Sequence, residues 1–361
     1  MTLATPLLAT HQRAGAATGT YFGCTLPARF SSFEREYAFA RESVALFDTN
    51  YQCWAWLDGA DRVRYLNAIT TNNVKDLAPG TGVTGLLLNP QGHILAELTT
   101  FNTGERLLLR THAVTGARTQ ETLEKYIIMD DASLVDATEE FASIAVEGPL
   151  ARQVVQDFAG IAIEAAPENT HWVKEVEGVT CRIFRRTHFG QPGAEIVVGR
   201  EQVEALWNYL GSKAREARGG RIGYDALNSL RLEAGVPWFS HDFDDKVIPH
   251  EAGLEHSHIN YTKGCYTGQE IVERVRSRGQ VNRRLTALKF SSETLPVTGA
   301  KLFAPAAPEK EAGYVTSAAH SPRLKSTIGL AYLRREHNAA GSTLSLGDGG
   351  AAEVIALPLP A

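Results

Sequence analysis

The chain has 361 residues, too many for one ordinary hydrophobic core, so two or three domains are expected. Hydrophobic and charged contents of 43% and 21% fit a folded globular protein and exclude a disordered or fibrous one. A formal net charge of −5 excludes a global pull toward nucleic acid or anionic lipid, so any such contact must come from a local patch.

At the N-terminus, "MTLATPLLATHQRAGAATGTYFG" lacks a charged segment followed by a solid apolar run. It reads as a loose lead-in over 1–30 rather than a signal peptide. "SSFEREYAFARESVALFD" places Phe33, Tyr37, Ala40 and Val44 at helical spacing, with Ser31 or Ser32 as the cap. "CWAWLDG" predicts a short strand. "ADRVRYLNAITTN" predicts a helix with Val63, Leu66 and Ile69 on one side. "GVTGLLLNPQGHILAELTTF" predicts a hairpin turning on Asn89-Pro90-Gln91-Gly92. A strand at "RLLLR" and a helix at "VTGARTQETLEKYIIMDDA" close a first domain, 31–140.

A second domain, 141–284, opens with a strand, a Gly-Pro turn and a helix in "FASIAVEGPLARQVVQDF". It continues with two strands around a Gly-rich turn, "TCRIFRRTHFGQPGAEIVV", and helices at "EQVEALWNYLGSKA" and "GYDALNSLRLEAG". Beyond Gly279 only short strands between Pro, Gly and Ser remain, which predicts a small all-β domain over 285–361. The class is α+β. No apolar run reaches membrane-spanning length. Cys24, Cys53, Cys181 and Cys265 lie far apart with no C-x-x-C pair, which argues against zinc or a disulfide framework and for a reducing, cytoplasmic setting.

"KGCYTGQEIVERVRSRGQ", Lys263 to Gln280, concentrates the chemistry. Thr267 and Glu270 have capping-box spacing, Ile271, Val272 and Val275 follow at helical spacing, and Gly279 is a natural stop. Cys265 therefore precedes a helix N-terminus, with Lys263 nearby. Both features favour a thiolate, and so a reactive or metal-binding cysteine. The alternative is a compact thiol in a tight corner beside Gly264. Between 263 and 284 six basic residues face two acids. This is either an anion-binding patch or a solvated helix face supported by Glu270 and Arg274.

These residues resemble the K-G-C-Y-x-G-Q-E signature of the YgfZ family, folate-binding relatives of the glycine-cleavage T-protein (aminomethyltransferase). The resemblance extends through "IPHEAGLEHSHINYTKGCYTGQEIVERVRSRGQVNRRL", "LDGADRVRYLNAITTNNVKDLAPG", "LLLNPQGHILAEL", "VEGPLARQVV", "HFGQPGAEIVV" and "LNSLRLEAGVP", in family order across about residues 35–350. It implies a three-domain aminomethyltransferase-like fold ending in a small β-barrel, with tetrahydrofolate or a derivative bound centrally. It further implies an accessory role toward iron–sulfur client or assembly proteins and, indirectly, tRNA modification.

The T-protein carries a catalytic aspartate after its hairpin turn, in a pattern like G-G-x-x-D-D. The corresponding place falls on Ala96, and strand alternation turns Glu97 the other way, so aminomethyl transfer is not expected. By the same resemblance Glu195 and Arg231 contact folate, although the residues alone would read as a surface carboxylate and as a helix-surface partner of Glu233 or Asp225. Tyr224 offers a stacking face or core packing. Lys263 and Cys265 are the candidate catalytic residues within the signature loop of Lys263, Gly264, Cys265, Tyr266, Gly268, Gln269 and Glu270. Pro249, Glu251 and Gly253 shape the loop before it. His241, His250, His256 and His258 match no zinc spacing, and no metal site is expected. Two other functions stay open: a tetrahydrofolate-dependent aminomethyltransferase, and a tRNA-binding module using Arg274, Arg276 and Arg278.

Overall fold

The computed structural model describes residues 3–305, 307–347 and 349–358, and leaves the side chain of Arg278 undescribed. It is a mixed helix-and-sheet fold whose C-terminal part is a closed six-stranded β-barrel. The chain forms two compact units that are discontinuous in sequence. One comprises residues 1–87, 95–227 and 258–267, and the other 88–94, 228–257 and 268–361.

The larger unit begins with β1 (Leu3–Ala4), α1 (Leu8–Arg13), β2 (Ala17–Tyr21) and β3 (Cys24–Arg29). These residues are not a loose lead-in. They form a three-stranded sheet, order β1-β3-β2, and bury Leu7, His11, Cys24 and Leu26. Then come α2 (Phe33–Glu42), β4 (Ala45–Asp48), β5 (Gln52–Asp58) and α3 (Arg62–Ile69). Ser32 caps α2 by accepting the Arg35 N–H. The helix stops at Glu42, so Val44 leads into a fully buried strand instead of extending the helical stripe.

Next are β6 (Thr81–Leu88), β7 (Ile94–Asn102), β8 (Leu107–His112), α4 (Gly116–Tyr126), β9 (Ser133–Asp136) and β10 (Phe141–Glu147). The β6–β7 turn is as expected: Asn89 Oδ1 accepts the N–H groups of Gln91 and His93, and Gly92 supplies a φ of +79°. Following these are α5 (Ala151–Ala159), β11 (His171–Val176), β12 (Val179–Arg185), β13 (Gly193–Gly199), α6 (Val203–Glu216), β14 (Gly220–Arg221) and α7 (Tyr224–Glu233), whose residues from 228 on belong to the smaller unit. Two sheets result, a five-stranded β6-β7-β8-β5-β9 and a six-stranded β11-β12-β13-β10-β4-β14.

Strand alternation gives each sheet two distinct faces. In the five-stranded sheet Leu57, Ala96, Leu98 and Leu109 join Leu66 and Ile69 in one apolar cluster. The opposite face carries Trp54, Trp56, Phe101 and Leu108, which cluster with Phe184 and Val197 of the six-stranded sheet. That second face also carries the polar residues described below. No helix among the described residues is long and apolar enough to cross a membrane.

In the smaller unit, α8 (Gln269–Arg278) ends on Gly279 in the left-handed region, its N–H bonded to Val275 O. The N-cap is Gly268 without a side-chain bond, so the expected capping box does not form. The barrel order is β15 (Arg283–Phe290), β18 (Ser326–Arg334), β17 (Ala307–Ser321), β16 (Lys301–Ala304), β19 (Thr343–Leu346) and β20 (Ala351–Ile355). The 248–254 loop is tied to β15: Glu251 pairs with Arg283 at 3.1 Å and its carbonyl accepts the Leu285 N–H, while Gly253 turns at a φ of +75°.

Candidate functional site

The larger unit buries two acids and two guanidiniums together. Glu195 on β13 is 0% exposed. Its Oε2 accepts from Arg110 Nη1 of β8 at 2.8 Å and lies 3.7 Å from Arg186 Nε. Its Oε1 is buried with no hydrogen-bond partner among the described residues. An unsatisfied buried carboxylate oxygen is costly, and it is the kind of group a ligand donor completes.

Arg110 is boxed between the rings of Phe101 and Trp54 and also donates to Thr99 Oγ1. Burial, helped by the neighbouring Arg186, pulls its guanidinium down to about 10 against the acids Glu195 and Glu97. Arg186 moves the other way: burial lowers it, but Glu195, Tyr51, Glu97 and Glu168 more than offset this and raise it.

Glu97 is the second acid, and its placement corrects the sequence expectation. Ala96, matched to the transferase aspartate, is packed in the apolar cluster of the five-stranded sheet. Glu97 projects to the polar face. The β7–β8 register pairs Thr99 with Arg110, so continuing it sets Glu97 opposite His112. His258 Nε2 lies 3.7 Å from Glu97 Oε2. Burial alone would raise this carboxyl, but the nearby His258 ring and the charges of His112, His258 and Arg186 hold it at about 2. The acid reaches the site by strand alternation, one position after the place expected for it.

An aromatic group adjoins these charges. Tyr51 stacks on Phe22 at 4.2 Å and on His112 at 5.6 Å. Tyr224 stacks on Tyr21 at 4.6 Å and donates its hydroxyl to Asp48 O at 2.7 Å, so core packing occupies it.

Arg231 is buried in the smaller unit rather than on a helix surface. It pairs with Asp242, not Glu233 or Asp225, donates to Asn228 Oδ1 and Val236 O, and lies over the Trp238 ring. Its Nη2 has no hydrogen-bond partner among the described residues.

The signature loop is held by its own polar groups. Asn260 Oδ1 accepts the N–H groups of Thr262 and Lys263, Asn260 N donates to Thr71 O, and Thr71 Oγ1 donates to His258 O. The Lys263 ammonium is committed to the carbonyls of Asn67 and Thr70 at the C-terminal end of α3, where helix carbonyls lack intrahelical partners. It also lies 5.0 Å from the Tyr266 ring centroid, and burial lowers it to about 8. Tyr266 is buried.

Cys265 is exposed, and a Cβ added at Gly264 would meet nothing within 4 Å. The tight-corner alternative is therefore overturned, because no packing demands small residues here. Gly268 does need to be glycine: its φ is +80° and a Cβ would lie 2.6 Å from Asn89 O. Gln269 opens α8. Glu270 pairs with Arg274 at 2.8 Å and Glu273 with Arg276 at 3.4 Å, which neutralises much of the basic stretch locally; the Arg278 side chain lies outside the described residues. His258 is the one of the four clustered histidines that joins the acids. His241 meets Trp238 edge-on, His250 is buried and His256 is exposed. Among the described residues no group of three His, Cys, Asp or Glu could hold a metal.

Arg110, Arg186 and Tyr51 were not singled out from sequence. An arginine closing the apolar strand "LLLR" was the available signal, since a charge on a buried strand needs a partner.

The "GCVT N-terminal domain" model matches residues 7–259, and the "Glycine cleavage T-protein C-terminal barrel domain" model matches 283–359. An aminomethyltransferase of Geobacillus sp. (strain WCH70) is 29% identical over 338 residues, covering 92% of this chain and 90% of that protein. One from Halalkalibacterium halodurans is 26% identical over 344 residues, covering 94% and 92%. The crystal structure of glycine cleavage system aminomethyltransferase T from Bartonella henselae superposes with a TM-score of 0.89 at 23% identity, covering 100% of this chain and 98% of that one, a likeness of fold.

Proposed function

Because the chain belongs to the GCVT family, with that family's N-terminal domain and C-terminal barrel, we propose that it is a cytoplasmic tetrahydrofolate-binding accessory protein of the YgfZ type. In this reading it supports iron–sulfur cluster assembly or repair and, through it, tRNA modification. The observation that carries the folate half is the orphaned Oε1 of Glu195, a fully buried acceptor braced by Arg110. A pterin edge presents adjacent N–H and amino donors, which suits such an oxygen. The aromatic rings of Tyr51 and His112 lie beside the charge cluster. When bound, tetrahydrofolate supplies ring nitrogens that carry a one-carbon unit.

The accessory half rests on the signature loop, which presents Cys265 to solvent on a backbone pinned by Asn260 and Lys263. An exposed thiol on a braced loop suits contact with a cluster-bearing client. Calorimetry with tetrahydrofolate on the wild type and Glu195→Gln tests the first half, with binding expected only for the wild type. Complementation of a strain lacking the gene by Cys265→Ser tests the second. Full recovery of iron–sulfur enzyme activity would contradict the thiol role.

A second reading, aminomethyl transfer, is favoured by one observation: Glu97 is ionised and faces the same cluster as Glu195. It predicts turnover of a lipoyl-bound aminomethyl donor that disappears in Glu97→Gln. The paired arginines of α8 leave a tRNA-binding module with little net local charge to work with.

A further inference from the structure

Three exposed apolar side chains of the larger unit fall close together in sequence beside one sheet edge. Ile128 and Met129, in the connection between α4 and β9, are 80% and 92% exposed, and Val135 of β9 is 45% exposed. The connection is pinned. Asp131 O accepts the Asp61 N–H and Asp131 N donates to Asp61 Oδ2, both at 2.9 Å, while Arg64 pairs with Asp130 at 2.7 Å. Gly59 turns against it at a φ of +99°, where a Cβ would lie 2.1 Å from Asp131 O. Single exposed apolar side chains are ordinary, but a group of them on a braced backbone beside an open edge marks an interaction surface.

β9 ends the β6-β7-β8-β5-β9 sheet, and no strand among the described residues covers its outer edge. The bonding pattern shows which backbone groups stay open. The Ala113 N–H goes to Tyr51 O, so the odd-numbered residues of β5 face β8. The Ala137 N–H goes to Trp54 O, so the even-numbered ones face β9. Trp56 lies opposite Val135 and Asp58 opposite Ser133, so Ser133 and Val135 bond inward. The N–H and C=O groups of Leu134 and Asp136 therefore point away from the sheet.

Charge selects what can sit there. Residues 121–140 carry seven acids and one base, Lys125, in a chain whose whole net charge is −5. Arg64 and Arg200 neutralise Asp130 and Glu139, which leaves the stretch strongly acidic. Nucleic acid and anionic lipid are repelled by it. A second copy pairing β9 with β9 would bring like charges together across the strands. A basic segment meets attraction instead.

We propose that β9 and the Ile128–Met129 shoulder form a docking edge for an extended basic segment of a partner protein. The segment adds a sixth strand to the five-stranded sheet. Its backbone bonds Leu134 and Asp136, its apolar side chains cover Val135 and Met129, and its lysines or arginines meet the acids. The same acids keep the edge from pairing with itself. Neither folate nor Cys265 is needed for it.

The test uses the full chain and fluorescent peptides of about eight residues that alternate Lys or Arg with Val, Ile or Phe, read by anisotropy at low salt. They bind with a Kd of about 100 µM or tighter, and peptides with Glu in place of the cations bind at least about tenfold more weakly. Met129→Lys changes a solvated side chain and weakens the basic peptides about tenfold. Asp136→Asn keeps an oxygen for the Thr138 N–H, loses the charge and weakens them about threefold. Amide exchange at Leu134 and Asp136 slows when peptide is added, while exchange in the six-stranded sheet does not change.

Failure of all the basic peptides to bind, or equal affinity for wild type and Met129→Lys, overturns the proposal. So does binding that leaves exchange at Leu134 and Asp136 unchanged, because the acids are then only attracting cations. A dimer in sedimentation that Met129→Lys abolishes overturns it as well, since a second copy then covers the edge. The wild-type exchange measurement decides the matter even if a substituted chain does not fold.

Discussion

Ala96 and Glu97 are consecutive residues of β7 with opposite surroundings: the methyl lies among Leu57, Leu66 and Leu98, and the carboxylate faces His258, His112 and Arg186. Restoring an acid at position 96 would therefore place it in a hydrocarbon environment. Ala96→Asp is expected to destabilise the fold by about 2–5 kcal/mol, the cost of burying an unpartnered polar group, and to confer no transferase activity. Urea denaturation measures the first effect and a turnover assay the second.

Glu97 should also dominate part of the acid limb of the stability curve. Its carboxyl is lowered on folding from 4.5 to about 2, so its contribution is fully present above the unfolded value and is lost as pH falls toward 2. The shift corresponds to roughly 3 kcal/mol. Glu97→Gln should be less stable than the wild type by about that amount at neutral pH, with the gap closing between pH 4.5 and about 2. Denaturant midpoints measured across that window check it.

The Arg110–Glu195 pair predicts strong non-additivity. Removing either partner leaves the other charge buried, at about 3–5 kcal/mol for Arg110→Met or Glu195→Met alone. The double substitution should cost much less than the sum, because no charge is then stranded. A double-mutant cycle by urea unfolding reads this coupling, and strict additivity would show that solvent already screens the pair.

Lys263→Met should loosen the signature loop. It frees the carbonyls of Asn67 and Thr70, a loss of about 1–3 kcal/mol. Amide exchange across residues 258–267 should speed up more than in the barrel. The pH signature has a defined sign. The amine is lowered on folding from 10.5 to about 8, so the unfolded chain holds the extra proton in that window. Wild-type stability should therefore climb relative to Lys263→Met as pH rises from about 8 to 10.5.

Much of the architecture was legible because it is local. The Asn89–Gly92 turn, the stop at Gly279 and the run of short barrel strands each follow from residues within a few positions of one another. The N-terminal sheet was not legible. Its β1 is two residues long, and its pairing with Cys24 and Thr25 is a contact across some twenty residues that no periodicity announces. β4 was hidden by the helical spacing of Val44.

In the site, Glu195 was found only through family likeness, and its partner Arg110 lies 85 positions away in sequence. Ion pairs at that separation depend on register, which single-strand alternation does not fix. The same limit applies to β7: alternation correctly put positions 96 and 97 on opposite faces, but could not say which face was the polar one. Only the packing of Ala96 against Leu66 and Ile69 decides that.

The enclosed cluster sets two carboxylates, Glu97 and Glu195, against two guanidiniums, Arg110 and Arg186. The formal charges cancel. A guest entering there is held by shape and hydrogen-bond matching more than by a net charge of these four groups, and because they are buried, dissolved electrolyte should change its affinity little. Any dependence on ionic strength must then arise from parts of the guest that remain outside this cluster.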